Sequence, residues 1–197
     1  MKTIRRIVFG LRSLYCYIVG NLIVRVYRYE KRYLTGRWFS TRYGTVFSQG
    51  WRWITENKRV CRRLGVNKGV PWAISPRIQI VHPENISFHP DDLNNFQSFG
   101  NYFQGIGSIT IGRGTYIAPN VGIITSNHTI GDLDAHDPAK PVNIGEGCWI
   151  GMNAVILPGV ELGPQTTVGA GAVVTKSFPE GFCVIAGNPA KVIRTTR

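Results

Sequence analysis

Four histidines, at positions 82, 89, 128 and 136, are the side chains of this 197-residue chain best suited to moving a proton near neutral pH. Two of them share one stretch, which begins Thr125-Ser126-Asn127-His128-Thr129-Ile130-Gly131-Asp132 and continues past His136 to Lys140. A neutral imidazole there would serve a weak nucleophile such as an alcohol, whose proton must leave during attack. Asp132, Asp134 and Asp137 lie in the same stretch and could orient an imidazole or bind hydroxyls. Short acidic loops are commonly just solvated, and a polar loop histidine often has no role, so residue type alone selects no member of this set. Metal chemistry has less to stand on. No two histidines have a short ligand spacing, and Cys16, Cys61, Cys148 and Cys183 form no CxxC pair and have no histidine at ligand distance in sequence, so no metal site is expected. Nor is a disulfide framework expected. With no small-residue cleavage site after the N-terminal apolar stretch, a secretory signal is not expected either, and the cytoplasm is the expected location.

The elements that must position such groups are announced by a period of six. Ile144-Gly145, Ile150-Gly151, Ile156, Leu162-Gly163, Val168-Gly169 and Val174 follow one another without a break. The same phase runs through Ile111-Gly112, Ile117-Ala118 and Ile123, and more weakly through Ile74, Ile80 and Ile86. The 21 residues from Ile123 to Ile144 are three repeats plus three, so a loop leaves the pattern there, at about residues 125–141. An aliphatic residue followed by Gly or Ala every sixth position suits a triangular coil, in which the aliphatic side chain points into a narrow core and the small residue lets the backbone turn. The period fits neither strand alternation nor a helical face. Each coil would cover the apolar end of the next, so the array is stable only as a stack.

Together with Leu157-Pro158-Gly159-Val160 and Ala186-Gly187-Asn188-Pro189-Ala190, the run Ile144-Gly145-Glu146-Gly147-Cys148-Trp149-Ile150-Gly151 resembles the hexapeptide-repeat acyltransferases. The likeness is to the sugar and exopolysaccharide O-acetyltransferase branch that contains the maltose and galactoside enzymes, and it covers about residues 99–195. It implies an all-β solenoid, a left-handed parallel β-helix with a short C-terminal segment. Left-handedness comes from the resemblance alone, since parallel crossovers are otherwise right-handed. It also implies a homotrimer with sites in the grooves between subunits, acetyl-CoA as donor and a sugar hydroxyl as acceptor. The family's catalytic histidine precedes the repeat that carries the Trp-Ile-Gly run, which makes His128 the candidate general base and His136 its rival. By the same resemblance the Met152 amide would stabilise the oxyanion and Asn101 would contact the reacting groups. Trp149 and Gly151 would line the reactive end of the cofactor cleft and Gly169 and Ala170 would flank the pantetheine arm. Lys176, Lys191 and Arg194 would meet its phosphates.

Charge divides the chain. Residues 1–70 hold 16 Lys and Arg against Glu30 and Glu56, a net +14, whereas residues 71–197 hold 7 against 9 acidic residues, a net −2. The expected organisation is therefore a basic, amphipathic, helical region over 1–70 and the solenoid over 71–197. Ile7, Val8, Leu11, Leu14, Tyr15, Ile18, Leu22 and Val26 recur at helical intervals among Arg5, Arg6, Arg12 and Arg25. The longest uncharged run, from Ser13 to Val24, is 12 residues, short of the roughly 20 that a spanning helix needs. The segment is better suited to lying in a membrane interface, with arginines on anionic headgroups; a re-entrant hairpin at Gly20-Asn21 is an alternative. Membrane contact through residues 1–37 is thus expected, at the inner face of the cytoplasmic membrane, with a lipid-linked glycan as acceptor. Single-stranded nucleic acid, which also attracts interleaved Arg and aromatic residues, is the weaker expectation. Other acceptors remain open, namely a nucleotide-sugar amine, an antibiotic hydroxyl or serine. So do a three-histidine zinc enzyme on this fold and a non-catalytic trimeric scaffold.

Overall fold

The computed structural model describes residues 2–42 and 44–197. The chain forms two compact units, Met1–Pro76 and Arg77–Arg197.

In the first unit, α1 (Lys2–Val26) is one uninterrupted helix with no break at Gly20-Asn21, so the re-entrant hairpin does not form. At 1.5 Å per residue its 25 residues extend about 37 Å. It packs against α2 (Gln49–Leu64), which Gly65 ends in the left-handed conformation at φ 71°. The face that α1 buries is made of small residues, Ser13, Cys16 and Gly20. At Gly20 a Cβ would lie 2.8 Å from Cε3 of Trp51, so only glycine allows this approach. The Thr55 hydroxyl donates to the Cys16 carbonyl at 3.1 Å, and Arg12 pairs with Glu56 at 2.6 Å. The large aliphatics Ile4, Ile7, Val8, Leu11, Leu14, Ile18 and Leu22 are left exposed. This inverts the usual arrangement of an amphipathic helix on a soluble core.

The second unit coils through three parallel sheets in rotation. Its first coil supplies β1 (Gln79–Val81) and β2 (Ile86–Phe88), followed by a 3-10 segment, Pro90–Phe96, where a third strand would stand. The next turn supplies β3 (Tyr102–Gln104), β4 (Ile109–Ile111) and β5 (Tyr116–Ile117). The third begins with β6 (Gly122–Ile124), then leaves the stack as a hairpin of β7 (His128–Thr129) and β8 (Asp132–His136). It returns at β9 (Val142–Ile144) and β10 (Trp149–Ile150). Then come β11 (Val155–Ile156), β12 (Glu161–Leu162) and β13 (Thr167–Val168), and finally β14 (Val173–Val174) and β15 (Cys183–Ala186), with β16 (Lys191–Thr195) antiparallel to β15. The first side is β1-β3-β6-β11-β14, the second β2-β4-β9-β12, and the third β5-β10-β13-β15-β16.

The period of six has a direct structural meaning. Ile144, Ile150, Ile156, Leu162, Val168 and Val174 are each 2% exposed or less, and each stacks on its counterpart one coil away, as Ile117, Ile150, Val168 and Ile185 do on the third side. Burying such a side chain contributes about 1.5–3 kcal/mol. Early in the stack the same core is filled by aromatics that the aliphatic pattern does not reveal: Phe96 lies 4.4 Å from Phe88 and 5.1 Å from Phe103, centroid to centroid. Ile74, which shares the phase, belongs to the first unit. Asparagines tie successive coils together: Asn95 bridges Thr115 and Ile117, and Asn101 accepts from the Val121 amide at 3.0 Å.

Candidate active site

The excursion that interrupts the repeat is tied at its root. The Lys140 amide donates to the Thr125 carbonyl at 2.8 Å and the Ser126 hydroxyl to the Asp137 carbonyl at 2.9 Å. Beneath it, Gln104 on β3 accepts the amides of Thr125 and Ser126 at 3.1 and 2.9 Å through one side-chain oxygen. Thr125 is fully buried and Ser126 nearly so. Beyond this root the hairpin stands in solvent, with Ile130 100% and Leu133 76% exposed at its tip. These are apolar side chains without cover.

His128 and His136 face each other across the two strands, with ring centroids 4.2 Å apart. Nδ1 of His128 lies 2.7 Å from the Leu133 carbonyl oxygen. A carbonyl only accepts, so Nδ1 carries the hydrogen, and in the neutral ring Nε2 is then the free base. Two of the three acids are otherwise engaged, Asp132 accepting from the Asp134 amide and Asp137 from the Thr129 hydroxyl, both at 3.1 Å, and none of the three has a hydrogen bond to His128 among the described residues. The group that orients His128 within the chain is therefore a backbone carbonyl. A cavity of about 220 Å³ lies beside the root, between Asn127, Asp137, Lys140 and Pro158, too small to enclose a cofactor.

The residues expected to bind a cofactor divide between two places. Trp149 is 59% exposed on the outer surface of the third side, level with Tyr116, Thr167 and, two strands on, Val184. Arg194 continues the same row on β16. Lys191 pairs with Ala186 and Arg194 with Val184, two residues apart on β15, because Ile193 is an extra residue in the register. This bulge puts Lys191 and Arg194 on one face, where plain alternation would put them on opposite faces. Gly169, whose amide donates to the Ile185 carbonyl at 2.8 Å, and exposed Ala170 lie at the end of β13 on this side. Gly151 lies where coils nearly touch: a Cβ there would be 2.6 Å from the Val168 carbonyl oxygen. Met152 follows, its carbonyl accepting from the Gly171 amide, while its own amide donates to no group among the described residues. Lys176 is set apart from Lys191 and Arg194. It follows β14 on the first side, with Nζ 5.7 Å from the centre of the Phe178 ring.

Asn101 is 1% exposed, and its side-chain nitrogen is the one buried polar side-chain atom without a partner among the described residues of this unit. Cys148, beside Trp149, is no competing nucleophile, because burial pushes its thiol up and keeps it protonated. Sequence reasoning missed Gln104 and the Leu133 carbonyl, neither of which carries a pattern. It also missed Tyr116, which the pattern could have supplied, since Tyr116 precedes Ile117 as Trp149 precedes Ile150.

Residues 141–176 match the family described as bacterial transferase hexapeptide (six repeats). A Dictyostelium discoideum protein provisionally named an acetyltransferase is 40% identical over 142 residues, 71% of this chain and 73% of that one. The chain belongs to the hexapeptide-repeat acetyltransferases. A second member, from Escherichia coli K12 and provisionally named colanic acid biosynthesis acetyltransferase WcaF, is 33% identical over 68% of this chain and 71% of its own. Among solved structures of this family, a galactoside acetyltransferase in complex with coenzyme A superposes with a TM-score of 0.54 at 30% identity. The match covers 64% of this chain and 62% of that one.

Proposed function

We propose that this acetyltransferase moves an acetyl group from acetyl-CoA to a sugar hydroxyl of a polysaccharide or lipid-linked glycan intermediate, with His128 as general base. The observation that carries this reading is the 2.7 Å contact between His128 Nδ1 and the Leu133 carbonyl, which leaves Nε2 free on an exposed hairpin. Nε2 takes the acceptor's proton as its oxygen attacks the thioester carbonyl. The C–O bond forms, the tetrahedral oxyanion collapses, and the C–S bond breaks to release the thiolate, which the imidazolium then protonates. The Met152 amide supports the oxyanion, and the buried Asn101 nitrogen is a donor still lacking an acceptor. WcaF and galactoside O-acetyltransferase, named for glycan chemistry, support a sugar as acceptor.

The cofactor lies along the third side of the left-handed β-helix. Trp149 stands at its reactive end, Gly151, Gly169 and Ala170 along the arm, and Lys191 and Arg194 toward its phosphates. The row from Trp149 to Arg194 crosses three strand spacings, about 14 Å. The His128 hairpin leaves at the edge between the first and second sides, opposite the third. One protomer therefore cannot bring its own base to its own cofactor face, and the active site is shared between subunits of a homotrimer. The uncovered Ile130 and Leu133 then pack against a neighbour, and Lys176, on the first side, faces the cofactor of the neighbouring copy.

The first unit holds the enzyme peripherally on the inner face of the cytoplasmic membrane. Ile4–Val26 is long and apolar enough to cross a bilayer, but α2 runs beside its middle with Arg52, Lys58, Arg59 and Arg62. Spanning would draw those cations into hydrocarbon, whereas lying flat buries only the aliphatic face of α1. His128→Ala tests the chemistry. Free thiol released from acetyl-CoA in the presence of a sugar acceptor falls by about two to four orders of magnitude; undiminished release removes His128 from the mechanism.

A further inference from the structure

Within the first unit, α1 and α2 enclose a groove of about 450 Å³. Its α1 wall carries Val19 and Ile23, and its α2 wall carries Lys58, Arg59 and Arg62, with Arg12 at one end. Few carboxylates are available to these cations. Residues 1–70 contain two, of which Glu30 is held by Arg32 at 2.5 Å and Glu56 by Arg12 at 2.6 Å, with Arg52 at 3.8 Å. Lys58, Arg59 and Arg62 have no carboxylate partner among the described residues. Lys58 is half-buried, with Nζ 4.1 Å from the centre of the Tyr27 ring and 5.7 Å from that of Tyr29, and burial lowers its pKa. A desolvated cation without an anion is costly unless a ligand supplies the charge.

We propose that this groove binds the phosphate of a long-chain lipid phosphate, with Lys58, Arg59 and Arg62 around the phosphate and the aliphatic face of α1 along the chain, while Arg12 and Glu56, paired with each other, also line the groove. The lipid is the carrier of the glycan acceptor, so the inference rests on the lipid-linked reading above. Two features separate this from general attraction to an anionic surface. The cations line a concavity rather than a plane, and Lys58, Arg59 and Arg62 have no carboxylate of their own among the described residues. The wall contributed by Val19 and Ile23 adjoins exposed Ile18 and Leu22, which suits a hydrocarbon chain.

Binding of the full chain to phosphatidylcholine vesicles carrying a minor fraction of a polyprenyl phosphate tests this. The reference is vesicles brought to the same charge with phosphatidylglycerol. Binding is read without acetyl-CoA, so a failure here leaves acetyl transfer to soluble sugars as a separate result. The polyprenyl phosphate vesicles are expected to bind about tenfold more tightly than the reference. Arg59→Gln with Arg62→Gln, both at exposed positions, is expected to abolish that preference with helix content by circular dichroism unchanged, and Arg59→Lys with Arg62→Lys to keep it. Equal binding of the unaltered chain to both vesicle types would overturn the proposal. So would a preference that survives in the glutamine variant, or displacement from polyprenyl phosphate by a single-stranded oligonucleotide.

Discussion

At the scale of single residues, the proposed chemistry depends on how firmly the His128 imidazole is held. Leu133 fixes the ring through its carbonyl, but the strand that carries His128 is fixed from below by Gln104, whose oxygen accepts two amides at the root of the hairpin. Gln104→Ala leaves the buried Thr125 and Ser126 amides without acceptors, at a cost of about 1–3 kcal/mol. Because the loss falls on the hairpin and not on the third side, kcat for acetyl transfer drops while the KM for acetyl-CoA holds. Steady-state kinetics with both substrates varied separates the two, and a raised acetyl-CoA KM with unchanged kcat would contradict this role. His128→Ala, by contrast, removes the proposed base itself and is expected to leave the fold as it was, by circular dichroism.

At the scale of elements, the coil depends on backbones that nearly touch. Gly151→Ala places a methyl 2.6 Å from the Val168 carbonyl oxygen and 2.7 Å from the Ala170 nitrogen. Neither is a side-chain end that could move aside. A loss of about 1–3 kcal/mol is expected in chemical denaturation, with reduced acetyl-CoA binding because Met152 and Ala170 shift with it. Much of this architecture was legible in the sequence, since the aliphatic period of six is the inward column of the coil and the 21-residue gap is the hairpin. What the period could not show has physical causes. Phe96 and Phe103 fill the early core with aromatic volume that an aliphatic pattern passes over. The bulge at Ile193 depends on strand register, which spacing within one strand does not encode. The orienting carbonyl of Leu133 is backbone, common to every residue type, and so leaves no mark in the sequence.

At the scale of the whole molecule, the two units have opposite surface logic. The solenoid buries its aliphatics, and α1 exposes them while burying Ser13, Cys16 and Gly20. Replacing Leu11, Ile18 and Leu22 together by Gln removes apolar surface at exposed positions, so the chain is expected to keep its helix content but to lose binding to anionic vesicles by more than about tenfold. Unchanged flotation with those vesicles would show that α1 does not contact lipid.

The claim on which the account depends is that base and thioester come from different copies of the chain, and mixing subunits tests it most directly. His128→Ala and Lys191→Glu with Arg194→Glu are each expected to be inactive alone, the first without its base and the second unable to hold acetyl-CoA. Co-assembled from denaturant in equal amounts, they should recover roughly a quarter of wild-type acetyl transfer, since random association pairs an intact hairpin with an intact third side at that fraction of interfaces. Mixed trimers that stay as inactive as either parent would show that both halves of the site belong to one protomer.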